Sequence, residues 1–168
     1  VLDVFRSLWQ DGVTVILMPP EGGEAGLHRG GSAPSTRQMD SLSPAHPVNR
    51  VHALCLCGGS AFGLDAAGGV LAHLAEHGIG FQVVGRTIPI VPTAAIFDLN
   101  LGDGSRCPDA AMGRQACSNA SSGPIEQGSV GAGTGAGVGK IFGIEQGMKG
   151  GLGSASVRSG DLVVGALV

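Results

Sequence analysis

Apolar positions in this chain gather in short, dense runs. "VTVILM" (13–18), "VHALCLC" (51–57), "IPIVPTAAIF" (88–97) and "LVVGALV" (162–168) are rich in β-branched residues and bounded by turn formers, which predicts strands, several of them covered on both faces. Two stretches follow a helical period instead. In "AFGLDAAGGVLAHLAEHG" (61–78), Ala67, Val70, Leu71 and Leu74 make one stripe. His73, Glu76 and His77 face outward, Ser60 stands at the cap position and Gly78 ends the run. Gly68 and Gly69 inside it cost about 1 kcal/mol each against Ala, so their presence predicts close approach to another backbone. "PDAAMGRQACSNA" (108–120) opens with a proline in a first-turn position and an aspartate that suits the helix dipole. Residues 19–47, rich in Gly, Pro and Ser, read as a long irregular excursion.

The order of these elements predicts an α/β fold, with residues 1–168 forming one domain. The chain ends within an apolar, strand-like run, which predicts that it is part of a larger fold.

Composition sharpens one point. There are 31 glycines among 168 residues, more than double the usual share of about 7%, without a collagen period. Glycine at that density serves tight turns and close backbone contacts. Charged residues make up 14%, the formal net charge is -3, and there is one Trp and no Tyr. That balance argues against a nucleic-acid binder, which needs a basic patch with stacking rings. Cys55 and Cys57 share one side of a predicted strand and read as reduced core thiols. "CLCGG" lacks the C-x-x-C spacing and second ligand pair of a metal site, so neither metal nor cofactor is expected. No apolar run reaches the roughly 18 residues of a membrane span, and "VLDVFRSLWQDG" lacks the features of a signal peptide, so no membrane association and a cytoplasmic location are expected.

Three candidate motifs remain. "GSVGAGTGAGVGK" (128–140) puts glycine at every second position from Gly131 to Gly139 and then a lysine. A phosphate-binding Walker A loop fails, because Thr134 stands where its first glycine belongs and Ile141 where its hydroxyl belongs. A dinucleotide fingerprint through Gly131, Gly133 and Ala136 has no clear preceding strand, and Glu145 is too near to serve the ribose. Strict alternation in an extended strand would leave one face bare, so that Gly131, Gly133 and Gly135 form a backbone wall against which a substrate can lie. Lys140 would then face with the small side chains unless a turn redirects it. A flexible loop with a surface lysine is the alternative. Finally, strand, Gly58-Gly59-Ser60 and helix approach the nucleophile elbow of α/β-hydrolases, but Phe62 replaces its last glycine and no histidine follows His77. Gly58 and Gly59 are therefore read as a tight turn and Ser60 as the helix cap. His73 and His77, at i and i+4, read as solvated.

Taken in order, "GVTVILMP", "VHALCLCGGSAFGLDAAGGVLAHLAEHGIGF", "VPTAAIFDL", "PDAAMGRQAC", "GSVGAGTGAGVGK" and "KGGLGSASV" resemble the L-aminopeptidase/D-esterase (DmpA-like) family, which includes β-aminopeptidases and the nylon-oligomer hydrolase. The resemblance covers nearly the whole chain. It implies a four-layer αββα sandwich like that of ornithine acetyltransferase. It also implies a precursor that cleaves itself into α and β chains, with a Ser or Thr at the new N-terminus of β as nucleophile and its own α-amine as base. The present chain resembles most of the α chain, so by this reading the nucleophile and an oxyanion-stabilising asparagine lie beyond Val168, and the chain alone is inactive. The partners so implied are the β chain of the same precursor, further αβ units in a homo-oligomer, and a small peptide, amide or ester as substrate. Lys140 corresponds to the lysine ending the family's glycine tract, near the nucleophile in the nylon-oligomer hydrolase. Phe97 stands where that hydrolase has a tyrosine, so a role for that hydroxyl is in doubt here. An inactive assembly partner and an acyltransferase of the ornithine acetyltransferase kind are the alternatives.

Overall fold

The computed structural model describes residues 2–4, 12–102 and 104–168. Most of the N-terminal stretch weighed as a signal peptide lies outside the described residues. Five strands form a mixed sheet: β1 (Leu2–Val4), β2 (Val13–Leu17), β3 (Ser35–Arg37), β4 (Ala53–Cys57) and β5 (Thr93–Ala95). Their spatial order is β1-β2-β4-β5-β3. β2 runs antiparallel to β4, Val13 opposite Cys57 and Leu17 opposite Ala53. β4 and β5 are parallel, with Cys55 level with Thr93. A parallel pair needs a crossover, and the segment between them supplies α1 (Ser60–Gly63) and α2 (Ala66–Glu76). A third helix, α3 (Ala110–Ser118), follows. Its cap is Asp109, whose carboxylate accepts the Met112 N–H at 2.9 Å.

One face of the sheet carries the core. Val13, Val15, Ala53, Cys55 and Cys57 are fully buried against Ala66, Val70 and Leu74 of α2 and Ala116 and Cys117 of α3. The two helices touch through their backbones: a Cβ on Gly69 would stand 1.7 Å from the Ala110 carbonyl oxygen, and one on Gly113 2.0 Å from that of Ala66. Gly68, by contrast, has only ordinary contact, 3.9 Å from the Ala110 methyl. The opposite face of the sheet meets the glycine tract, where the Ala132 N–H donates to Thr14 Oγ1 at 3.0 Å.

Several expected elements divide where the chain must turn. The 88–97 run splits because Pro89 and Pro92 cannot donate to a ladder: Arg86–Ile88 pairs with Phe81–Val83 in a hairpin, and only Thr93–Ala95 joins the sheet. The 51–57 run breaks at His52, whose N–H donates to Ile90 O (2.9 Å) while its ring Nδ1 accepts the Ile90 N–H (3.1 Å). Residues 162–167 do form a strand, β7 (Leu162–Leu167), but among the described residues it pairs only with β6 (Ser154–Ser159), and Leu162, Val163 and Val164 are half or more exposed. No helix among the described residues is long and apolar enough to cross a membrane.

Candidate active site

The turn after β4 places two successive residues in the left-handed region. Gly59 has φ 76° and Ser60 φ 54°, a left-handed conformation uncommon for a residue with a Cβ. Three hydrogen bonds hold it: Gly59 N–H to Asp98 Oδ1 at 2.7 Å, Ser60 N–H to Ile96 O at 2.9 Å, and Ile96 N–H to Cys57 O at 2.9 Å. Gly58 and Gly59 make the expected tight turn. The cap position, however, belongs to Gly59. Ser60 is already the first residue of α1, and no side chain caps that helix, because its cap residue is a glycine; Asp98 and Ile96 instead accept the N–H groups of Gly59 and Ser60.

Asp98 is the residue that sequence reasoning missed. It is 1% exposed, and its Oδ2 has no hydrogen-bond partner among the described residues. That oxygen is sealed between two glycines: a Cβ on Gly58 would lie 2.3 Å from it and one on Gly135 only 1.9 Å. The elbow and the glycine tract therefore close on one carboxylate. Burial, and then the Asp98 charge, push the Cys57 thiol up to about 12, so it is a protonated core group rather than a nucleophile. The available signal was an isolated aspartate inside the apolar run "AIFDL", a residue type rarely buried without a specific partner.

The glycine tract departs from the extended strand expected of it. Residues Gly131–Thr134 form a 3₁₀ turn, and only Gly137–Val138 is a strand, paired with Met148–Lys149. At three residues per turn, alternate glycines no longer share a face, and each serves a different neighbour. Gly131 is buried with its carbonyl oxygen 2.0 Å from where a Cβ of Gly12 would stand. Gly133 abuts the backbone of Leu152, and Gly135 abuts Asp98. Gly139, with φ 76°, turns the chain, so Lys140 folds back over Gly137, where a Cβ would lie 2.8 Å from its Cε and 3.1 Å from its Nζ.

Lys140 thereby lines a cleft of about 190 Å³ together with Asn100, Leu101, Ile144, Met148 and Lys149. The Lys149 ammonium donates to Gly133 O at 3.4 Å and to Thr134 O. The cleft's far wall hangs from the buried carboxylate's own segment, since Leu101 N–H donates to Asp98 O at 2.9 Å. Phe97, 60% exposed, precedes Asp98 but stands outside the residues lining this cleft. Sequence reasoning brought Lys140 forward but not Asn100 or Lys149. Among the described residues no group of three or more His, Cys, Asp or Glu is placed to hold a metal ion.

Comparison with known proteins gives one consistent result. The model of peptidase family S58 matches residues 3–168. An uncharacterized aminopeptidase of Mycobacterium leprae is 45% identical over 165 residues, covering 95% of this chain and 44% of that protein. A 6-aminohexanoate-oligomer endohydrolase of Paenarthrobacter ureafaciens is 36% identical over 133 residues, 77% of this chain and 34% of its own. Among solved structures, a Burkholderia sp. beta-aminopeptidase superposes with a TM-score of 0.64 at 23% identity, over 98% of this chain and 47% of that one. The chain thus spans less than half the length of these relatives. With the family model matching almost end to end, this chain belongs to peptidase family S58.

Proposed function

We propose that this chain is the α-chain region of an amidohydrolase that cleaves short peptides, amino-acid amides or esters, with a nucleophile supplied by a β chain from the same precursor. The observation that carries the reading is Lys140: the family's position for a lysine beside the nucleophile is filled, in a cleft, by a lysine with no ion pair among the described residues. The nucleophile's Oγ bonds to the amide carbonyl carbon as its proton passes to the α-amine of the same residue. The departing nitrogen takes that proton as the C–N bond breaks, and water then hydrolyses the ester. Lys140 orients the nucleophile and favours its negative charge. Gly131, Gly133 and Gly135, buried against Gly12, Leu152 and Asp98, position the tract that carries Lys140 rather than touch substrate, and Phe97 stands outside the cleft. In the full protein the sheet described above forms half of a four-layer αββα sandwich, and αβ units assemble into a cytoplasmic homo-oligomer. The likeness to a 6-aminohexanoate-oligomer endohydrolase, by its name a hydrolase, supports hydrolysis as the reaction.

The test is to express the full reading frame and follow it by mass spectrometry and amino-acid p-nitroanilide hydrolysis. Conversion into two chains, the second starting at Ser or Thr, with release of nitroaniline, is expected. Lys140→Met should slow processing or turnover by about 100-fold, the scale of a positioned proton-handling group. An uncleaved, inactive precursor would sink the reading.

A further inference from the structure

Two lysines line one small cleft, and among the described residues no acidic side chain lines it with them. In the Gly137–Val138 and Met148–Lys149 ladder, Gly137 stands directly opposite Lys149. Residues so paired project from the same face with Cβ atoms about 5 Å apart. Gly137 has no Cβ, and the end of the Lys140 side chain lies over that bare position, its Cε 2.8 Å and its Nζ 3.1 Å from where the atom would be. The two side chains therefore rise side by side. The Lys149 ammonium is held in place by the carbonyls of Gly133 and Thr134, which use two of its three donors. Lys140 makes no side-chain hydrogen bond or ion pair among the described residues.

The remaining lining is Asn100, Leu101, Ala136, Gly137, Ile144, Gly147 and Met148. None is acidic. Glu145, the acid nearest the two lysines in sequence, lies against Gly143, its Oε1 3.3 Å from where a Cβ of that residue would stand, and Asp98 Oδ2 is enclosed by Gly58 and Gly135. Two like charges lining one cleft repel each other, and an anion between them relieves that repulsion. A volume of about 190 Å³ suits one amino-acid residue rather than a long chain.

We propose that this cleft binds a carboxylate of the substrate, with Lys149 as its anchor and Lys140 between it and the reacting bond. The inference rests on the amidohydrolase reading above and sharpens it. The favoured substrates are short peptides whose leaving residue carries a free carboxylate two or three bonds from the scissile nitrogen. Blocked amides and internal peptide bonds are poorer, because they leave both ammonium groups unpaired.

The test uses the full-length, processed protein and two substrates differing in one group: β-alanyl-alanine and β-alanyl-alanine amide. A charge-assisted contact predicts kcat/KM at least about tenfold higher for the acid, expressed in KM and shrinking as salt is raised. Lys149→Met should bring the ratio towards one, and Lys149→Arg should keep most of it. Equal rates for the two substrates in the unaltered protein, or a preference that survives Lys149→Met, overturn the inference while leaving the hydrolase reading intact. If the precursor is unprocessed and p-nitroanilides are untouched, the hydrolase reading fails first. The cleft is then judged by calorimetry with N-acetyl-β-alanine and its amide on the same protein. Binding of the acid alone, lost in Lys149→Met, upholds the carboxylate site, and equal binding or none overturns it.

Discussion

Replacing Gly135 by alanine tests whether the buried carboxylate organises this site. The backbone there has φ -96°, ordinary for any residue, so alanine brings no torsional strain and its cost is steric. Its Cβ would stand 1.9 Å from Asp98 Oδ2 and 2.6 Å from Cγ, which forces the carboxylate back by more than 1 Å. It has nowhere to go. Gly58 closes the other side, and Oδ1 is tied to the Gly59 N–H at 2.7 Å. Overpacking costs about 1–3 kcal/mol, and losing a hydrogen bond to a charged group about 1.5–3 kcal/mol more. The smaller entropy of the unfolded alanine chain returns only about 0.4–1 kcal/mol. The net expectation is a loss of about 2–5 kcal/mol, read from urea unfolding curves. Asp98→Ala removes the obstacle, so the double variant should be less destabilised than the sum of the two singles by about 1–3 kcal/mol. A Gly135→Ala variant costing under about 1 kcal/mol, or strict additivity with Asp98→Ala, would refute the clamp.

Gly68→Ala and Gly69→Ala, neighbours in α2, should shift the thermal midpoint in opposite directions. The first gains about 1 kcal/mol of helix propensity with only a 3.9 Å contact, whereas the second drives a methyl to within 1.7 Å of the Ala110 carbonyl and must part α2 from α3. Burial lowers the His52 pKa from its ordinary 6.5, so the unfolded chain binds the extra proton first. Stability should hold above about pH 6.5 and decline as pH falls below it, before the carboxylates titrate. His73 acts in the same direction. His52→Gln should flatten that decline in denaturant titrations between pH 6.5 and 5, and an unchanged slope would assign it elsewhere.

Local signals were legible where a residue's role is settled by its near neighbours. The helix after Pro108 was legible from its period, although Pro108, expected in its first turn, precedes the helix and Asp109, expected only to suit the dipole, is its cap; the odd positions of β2 and β4 become core because the two-residue pleat operates over a few positions. Gly69 was legible for a related reason: a helix interior carries glycine at a cost, and the backbone of α3 explains the cost. Its neighbour Gly68 carries the same sequence signal and has no such contact, which marks how far that inference reaches. Alternation at 131–139 misled, since a period of two implies a strand only if the chain stays extended, and the 3₁₀ turn breaks that condition.

The long-range part was not legible at all. Asp98 meets Gly59, 39 positions away, and Gly135, 37 positions away, while Lys149 reaches the cleft through a two-residue ladder whose register nothing local sets. These distant contacts also account for the glycine content. Where the elbow, the tract and the segment at 97–101 close on a single carboxylate, a side chain at Gly58 or Gly135 would occupy the space the carboxylate needs. The same bareness at Gly137 lets Lys140 turn back into the cleft. The glycines that looked like a wall for substrate are, in this chain, the means by which a lysine and an aspartate far apart in sequence both pack against one short tract.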